Sequence, residues 1–241
     1  MESPLHQFEV KTLIPLRLGN IDLSFTNSAL FMGLAVIFIL TLFFLALRKP
    51  KPVPGKLQSL IELSYEFIAT LLEENTGTKG KKYLPFVFSI FLFVLVGNLL
   101  GLIPYSFTFT SQLILTFGLA SLVFLVIVFV GIANHGAKFL QLFFPEGAPL
   151  FMAPLLVPIE LISFLSRPVS LSVRLFANMM AGHTMLKVFA LFTISLGVFG
   201  FSTVILNSIL IGFEFLVAFL QAYVFTVLTC LYLNDAIHLH S

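Results

Sequence analysis

The chain has no tryptophan, a single cysteine and few charges: 13 basic and 11 acidic side chains, or 10% of 241 residues. Soluble chains carry about 25% charged residues, so a surface that meets water all round is excluded. The lone Cys230 excludes an internal disulfide, and its apolar setting between Thr229 and Leu231 points to a buried packing role. No Walker loop, dinucleotide-binding glycine fingerprint or nucleophile triad occurs, so no catalytic residue and no cofactor is expected. His238 and His240 are two potential ligands on a terminus, too few to argue for a metal. Residues 1–27 mix charges, prolines and short apolar pieces instead of the basic-then-apolar order of a cleavable signal. The first apolar run is therefore expected to be an uncleaved anchor. What the chain has in abundance is apolar: 59% hydrophobic residues, 30 of them phenylalanine, gathered into long runs. That is the composition of a polytopic helical membrane protein.

The runs 28–47, 84–103 and 112–134 are each long enough to cross ~30 Å of hydrocarbon as a helix. Arg48 and Lys49 close the first, and Pro50, Pro52 and Pro54 block any helix that would follow. The connection Pro104–Ser111 carries no charge. Residues 56–75 differ. On a helical wheel Leu57, Leu60, Ile61, Leu63, Tyr65, Phe67, Ile68, Leu71 and Leu72 fill one arc, while Gln58, Ser59, Glu62, Glu66 and Glu73 fill the other. This pattern suits a helix lying on the membrane surface or packed against a partner, with a packing helix on the soluble side as the alternative. If it does not cross, Arg48, Lys49, Lys51, Lys56, Lys79, Lys81, Lys82 and Lys138 share one side, which the positive-inside rule makes the cytoplasm or matrix. The amino terminus is then outside, and five passes leave the carboxyl terminus inside.

From Pro149 to Phe192 the chain is apolar over roughly twice the length that a perpendicular helix needs, and 203–233 is another over-long run. Two short helices with a buried turn would absorb the first excess. The lack of turn chemistry between 159 and 192 favours one long, steeply tilted helix bent by Pro154, Pro158 and Pro168. The expected fold is all-α and polytopic: five membrane-embedded helices plus one amphipathic interfacial helix, the last two long and tilted. It forms a single membrane domain over 1–241, comprising an outside segment (1–27), a first span (28–48), the interfacial helix (56–75), a hairpin (84–134) and a tilted pair (149–237).

Within 150–233 the charged residues are Glu160, Arg167, Arg174, Lys187 and Glu214. A guanidinium at mid-membrane costs roughly 2.5–3.5 kcal/mol on insertion scales, and it stays protonated. Such a residue persists where water, a counter-charge or a passing substrate needs a permanent cation, so Arg174 points to ion movement. Glu160, Arg167 and Arg174 recur every seven residues and fall within about 40° of one another on a helix, joined by Ser163, Ser170 and Asn178. His183 lies on the opposite face. Asn207, Glu214 and Gln221 repeat at the same interval on the last run. Two facing polar stripes read as a hydrated ion path or as a polar helix–helix seam. Glu214 is a candidate partner for His183, which is otherwise a satisfied core histidine. Arg167 is expected to snorkel or to pair with Glu160. Lys187 is expected to reach an interface and is given no role.

The run Arg167-Pro-Val-Ser-Leu-Ser-Val-Arg174-Leu-Phe-Ala-Asn178-Met-Met-Ala-Gly-His183, with Gly212-Phe-Glu214 and Gln221-Ala-Tyr-Val-Phe-Thr, resembles subunit a of the rotary F-type ATP synthase. Gly97-Asn98-Leu-Leu-Gly-Leu-Ile-Pro104 and Tyr232-Leu-Asn-Asp-Ala-Ile extend the likeness from residue 28 onward. His183 with Glu214 resembles the mitochondrial and alphaproteobacterial version, and Gly101 stands where several bacterial relatives carry an aspartate. The resemblance implies a non-catalytic, proton-translocating stator subunit that flanks a ring of c subunits and forms two offset half-channels. It implies Arg174 facing the ring, Asn178 and Gln221 as polar partners, His183 and Glu214 lining the outside half-channel, and Glu160 toward the inside exit. Ser170, Asn98 and Asn207 are further candidates for channel-lining polar residues. The implied partners are the c ring, peripheral-stalk b-type subunits, other membrane-sector subunits and the lipid bilayer, with no nucleic acid. The implied location is the mitochondrial inner membrane or the bacterial plasma membrane. A stand-alone secondary transporter is the rival reading, but such proteins usually show internal repeats and broken helices. No repeat is visible, and 207–233 holds no proline. A purely structural subunit would require both polar stripes to be interchangeable glue.

Overall fold

The computed structural model describes residues 8–15, 17–18, 21–22, 24–48, 50–103, 106–136, 139, 150–195 and 200–238. Lys49, Pro104, Tyr105, Lys138, Pro149 and His240, which figure in the sequence reading, lie outside these. Helices α1 (Asn27–Leu47), α2 (Lys56–Thr76), α3 (Leu84–Gly101), α4 (Leu113–His135), α5 (Ala153–Ser195) and α6 (Gly200–Ile237) make up most of the described chain. Five of them are long and apolar enough to cross a membrane: α1, α3 with the turn before it, α4, α5 and α6. α2 is the amphipathic sixth. The all-α polytopic class expected from the apolar runs is thus the observed one.

α6 packs on α2, α3, α4 and α5, and α3 packs on α6, α2 and α1. Val87, Phe91 and Val94 of α3 are fully enclosed, with Phe91 meeting Phe67 of α2 and Phe219 of α6. α1 leans on the outside of this bundle, with Ala35 buried beside Val96, Phe107 and Phe109. Most of the outer surface is large apolar side chains, such as Leu40, Phe44, Ile114 and Phe129. In water that surface would be untenable; in lipid it needs no cover.

α5 runs unbroken for 43 residues with Pro158 and Pro168 inside it, so the long apolar run resolves as one helix and not two. At about 1.5 Å per residue it is about 64 Å long, twice the ~30 Å hydrocarbon thickness. α6 folds back against it. Pairs along the seam run in opposite order on the two helices: Arg167–Asp235, Asn178–Gln221, His183–Glu214 and Thr193–Thr203. The two long helices form an antiparallel hairpin, clasped near both ends by polar contacts.

Three features depart from the sequence reading. Arg167 pairs with Asp235 of α6 at 2.8 Å and stacks on Tyr232 and Phe164, instead of pairing with Glu160 or snorkelling alone. Gln58, assigned to the polar arc of α2, is buried. Its amide exchanges hydrogen bonds with the backbone of Lys51 and donates to Glu62, closing the proline-rich turn onto α2. The apolar arc of α2 divides: Ile61, Ile68, Leu71 and Leu72 are buried, whereas Leu57, Leu60 and Leu63 face outward. Tyr65 and Phe67 meet Phe88, Phe91 and Tyr223 edge-on or tilted, so α2 packs on α3 and α6 of its own chain.

Before α1, two short antiparallel pairings occur: β1 (Thr12–Ile14) with β4 (Phe25–Thr26), and between them β2 (Arg17–Leu18) with β3 (Ile21–Asp22). Thr26 then caps α1, its hydroxyl accepting from the Ala29 amide. The Phe8 carbonyl accepts from the Gln112 side chain at 2.7 Å, which ties this segment to the start of α4.

Candidate functional site

Four polar residues of α5 and α6 converge on one groove of about 500 Å³ between the two helices. Arg174, Asn178, Glu214 and Gln221 line it, set among Met185, Leu210, Phe213 and other apolar side chains. Arg174 and Asn178, four residues apart, project from the same face of α5. Both are exposed on the surface of the chain. Among the described residues no carboxylate lies within ion-pair distance of Arg174. The seven-residue interval on α6 brings Glu214 and Gln221 to the facing wall, where both are buried.

Asn178 donates its amide to the Gln221 side-chain oxygen at 2.8 Å, bridging the two walls. Gln221 Nε2 has no hydrogen-bond partner among the described residues. The same holds for both carboxylate oxygens of Glu214, which is 4% exposed. Buried polar atoms are rarely left in that condition, and where they are, they call for a ligand, water or a function.

Glu214 has two neighbourhoods. One side lines the groove; on the other, Oε1 lies 3.4 Å from Nδ1 of His183. This is within ion-pair range but long for a hydrogen bond. His183 does not line the groove. It projects from the face of α5 opposite Arg174, toward the α3–α4 connection, where its Nε2 lies 3.1 Å from the Thr108 hydroxyl. The ring of Phe8 stands 6.5 Å away. Glu214 reaches between the two helices because residue 182 is glycine. A Cβ there would lie 2.7 Å from Glu214 Oε1.

The remaining candidates are not in this groove. Asn98 is buried on α3, donating to the Ala218 carbonyl at 3.2 Å while its own oxygen is unpartnered among the described residues. Asn207 lines a separate shallow pocket with Thr193 and Ser208. Ser170 is exposed, and Glu160 is half-buried near the start of α5, about 21 Å along the axis from Arg174. Thr108 and Gly182 escaped the sequence reading. A hydroxyl in an uncharged loop carries no signal of its own, and a glycine beside a histidine shows its purpose only once Glu214 is seen against it.

A family model described as ATP synthase A chain matches residues 29–234. The protein called ATP synthase subunit a in Rhizobium rhizogenes strain K84 is 54% identical over 243 aligned residues, covering 98% of this chain and 97% of the relative. Its namesake in Mesorhizobium japonicum is 55% identical over 244 residues, covering 98% and 96%. The chain therefore belongs to the ATP synthase A chain family: it is a multi-pass, non-catalytic, proton-translocating stator subunit of the membrane sector, working there with other subunits.

Proposed function

We propose that the α5–α6 groove faces a ring of rotor subunits, each bearing one membrane-buried carboxylate, and that two offset half-channels on this chain load and unload those carboxylates. The observation that carries this reading is the exposed guanidinium of Arg174, unpaired among the described residues, in a groove shared with Glu214, Asn178 and Gln221. A fixed cation favours the ionised form of a carboxylate brought close to it, so each passing rotor acid gives up its proton there. Because a guanidinium does not deprotonate, it also bars a proton from crossing directly between the half-channels.

His183 and Glu214 form the inlet pair from the outside. An imidazole beside a carboxyl group can take up and release a proton, and Glu214 stands between His183 and the groove. Asn178 and Gln221 keep the groove polar beside Arg174. Glu160, displaced along α5 toward its start, belongs to the exit path on the inside. Ser170, Asn98 and Asn207 are secondary channel-lining candidates. The basic loops after α1 and around Thr78–Tyr83 face the cytoplasm, so the amino terminus is outside and the carboxyl terminus inside. The tilted α5–α6 hairpin wraps the rotor. The relatives are alphaproteobacterial, which supports the bacterial plasma membrane over the mitochondrial inner membrane. Peripheral-stalk b-type subunits pack on the lipid-facing helices.

The test is Arg174→Ala in the assembled complex, reconstituted in vesicles. Proton-driven ATP synthesis is lost while the complex still assembles. Synthesis at the normal rate would defeat the reading.

A further inference from the structure

We propose that Thr108 is a positioning residue for the inlet: its hydroxyl accepts from Nε2–H of His183, fixes that tautomer, and thereby turns Nδ1 toward Glu214. The proposal rests on the reading of His183 and Glu214 as the inlet pair.

The geometry is a chain of contacts across three segments. Glu214 Oε1 lies 3.4 Å from His183 Nδ1, His183 Nε2 lies 3.1 Å from Thr108 Oγ1, and Thr108 Oγ1 lies 3.4 Å from the Gly101 carbonyl. A hydroxyl has one proton to give. The Gly101 carbonyl can only accept, so a hydroxyl proton turned toward it, across a 3.4 Å contact that is long for a hydrogen bond, leaves lone pairs for His183. The imidazole then carries its proton on Nε2, and Nδ1 is the nitrogen that exchanges with Glu214. Proton transfer becomes a single balanced step. An Nδ1–H bond of the imidazolium breaks, an Oε1–H bond of Glu214 forms, and a cation and an anion become a neutral imidazole and a neutral acid. Closing their contact by about half an ångström makes a normal hydrogen bond for that step. Nε2–H stays on Thr108 in this step, and Nδ1 regains a proton from water on the outer side before the next one.

Thr108 is held firmly enough for this task. It is 5% exposed and His183 9%, so water competes poorly for either group. The Thr108 carbonyl accepts from the Ser111 amide at 3.1 Å and from the Ser111 hydroxyl at 2.6 Å. Phe107 and Phe109 on either side are buried against α1 and α3. Its seat exists because residue 101 is glycine, since a Cβ there would come within 2.7 Å of both Thr108 Cγ2 and Oγ1.

The test compares Thr108→Val, Thr108→Ser and Glu214→Gln in the intact ATP synthase, reconstituted in vesicles and matched for assembled complex. The loss of one hydrogen bond that orients a working group corresponds to about tenfold in rate at most. Thr108→Val should lower proton-driven ATP synthesis by about that factor, and Thr108→Ser, which keeps the hydroxyl, should keep it within about twofold. Solid-state ¹⁵N NMR of wild-type complex labelled at histidine, with His183→Gln to assign the signal, should show neutral His183 as the Nε2–H tautomer. Three results overturn the proposal: Thr108→Val at the wild-type rate while Glu214→Gln is slow, Val and Ser slowed alike, or a neutral Nδ1–H tautomer. If Glu214→Gln leaves the rate unchanged, the inlet reading itself fails and the proposal falls with it. Should Thr108→Val not assemble, the wild-type spectrum alone decides.

Discussion

Gly182 offers a test of whether the Glu214 carboxylate must sit where it does. Replacement by alanine adds one methyl group, and the added Cβ would lie 2.7 Å from Oε1 and 3.1 Å from the carboxyl carbon of Glu214. Ordinary contact begins near ~3.4 Å, so the carboxylate must retreat by about 0.7 Å. Lengthening its 3.4 Å approach to His183 by that amount takes the pair beyond ion-pair range, about 4 Å. Misplacement of reacting groups by 1 Å can cost about 100-fold, so a shift of this size corresponds to a roughly 25-fold slower rate of proton-driven ATP synthesis. The assay is synthesis by reconstituted vesicles under a fixed proton gradient, normalised to assembled complex. Glu214→Asp provides the control, because its shorter side chain withdraws the carboxylate from the new methyl group. In the Gly182→Ala background it should cost less than it does alone, a non-additivity expected of groups in contact. A Gly182→Ala complex with full activity, or strict additivity of the two losses, would refute the steric argument.

Two other substitutions separate architecture from transport. Asp235→Asn removes the counter-charge of Arg167, whose side chain is 20% exposed beside an aspartate side chain at 26%. Such a half-buried pair falls between exposed pairs worth up to about 1 kcal/mol and buried ones whose disruption costs about 3–5 kcal/mol. A loss of about 2 kcal/mol should lower the temperature at which the detergent-solubilised complex comes apart, with little change in turnover below it. An unchanged dissociation temperature would contradict the role of this clasp. Gln221→Leu breaks the bridge to Asn178, and one neutral hydrogen bond is worth about 1 kcal/mol. If all of that falls on the transfer step, synthesis slows roughly fivefold; an unaltered rate would show that the groove does not need this polar wall.

Much of the fold was legible because membrane helices announce themselves by length. α1, α3 and α4 begin and end within about two residues of their apolar runs, and the unbroken α5 followed from the lack of any turn chemistry in its apolar run. The His183–Glu214 contact was legible for a simpler reason: the apolar body of the last helix offers one acid. Pairings set by tertiary geometry were not legible. Arg167 and Asp235 are 68 residues apart, and helical spacing within α5 offered Glu160 as the nearer partner. Gln58 was misassigned because its wheel position is polar, while the proline-rich turn that folds over it leaves no periodic trace. The amino-terminal pairings are two or three residues long, below the length at which alternation is visible. Thr108 and Gly182 gain meaning only through what lies against them.

On this reading the Arg174 groove faces the rotor's acids. Disulfide cross-linking tests it most directly, with one cysteine at Ala181, a groove residue exposed on α5, and one beside the buried carboxylate of the c subunit. Leu40→Cys on the far-exposed surface of α1 serves as the reference. Efficient cross-linking from position 181, with none from position 40, is the expected result. Cross-links from position 40 and none from 181, in a complex that still assembles, would mean that the guanidinium faces lipid and that the rotor runs elsewhere.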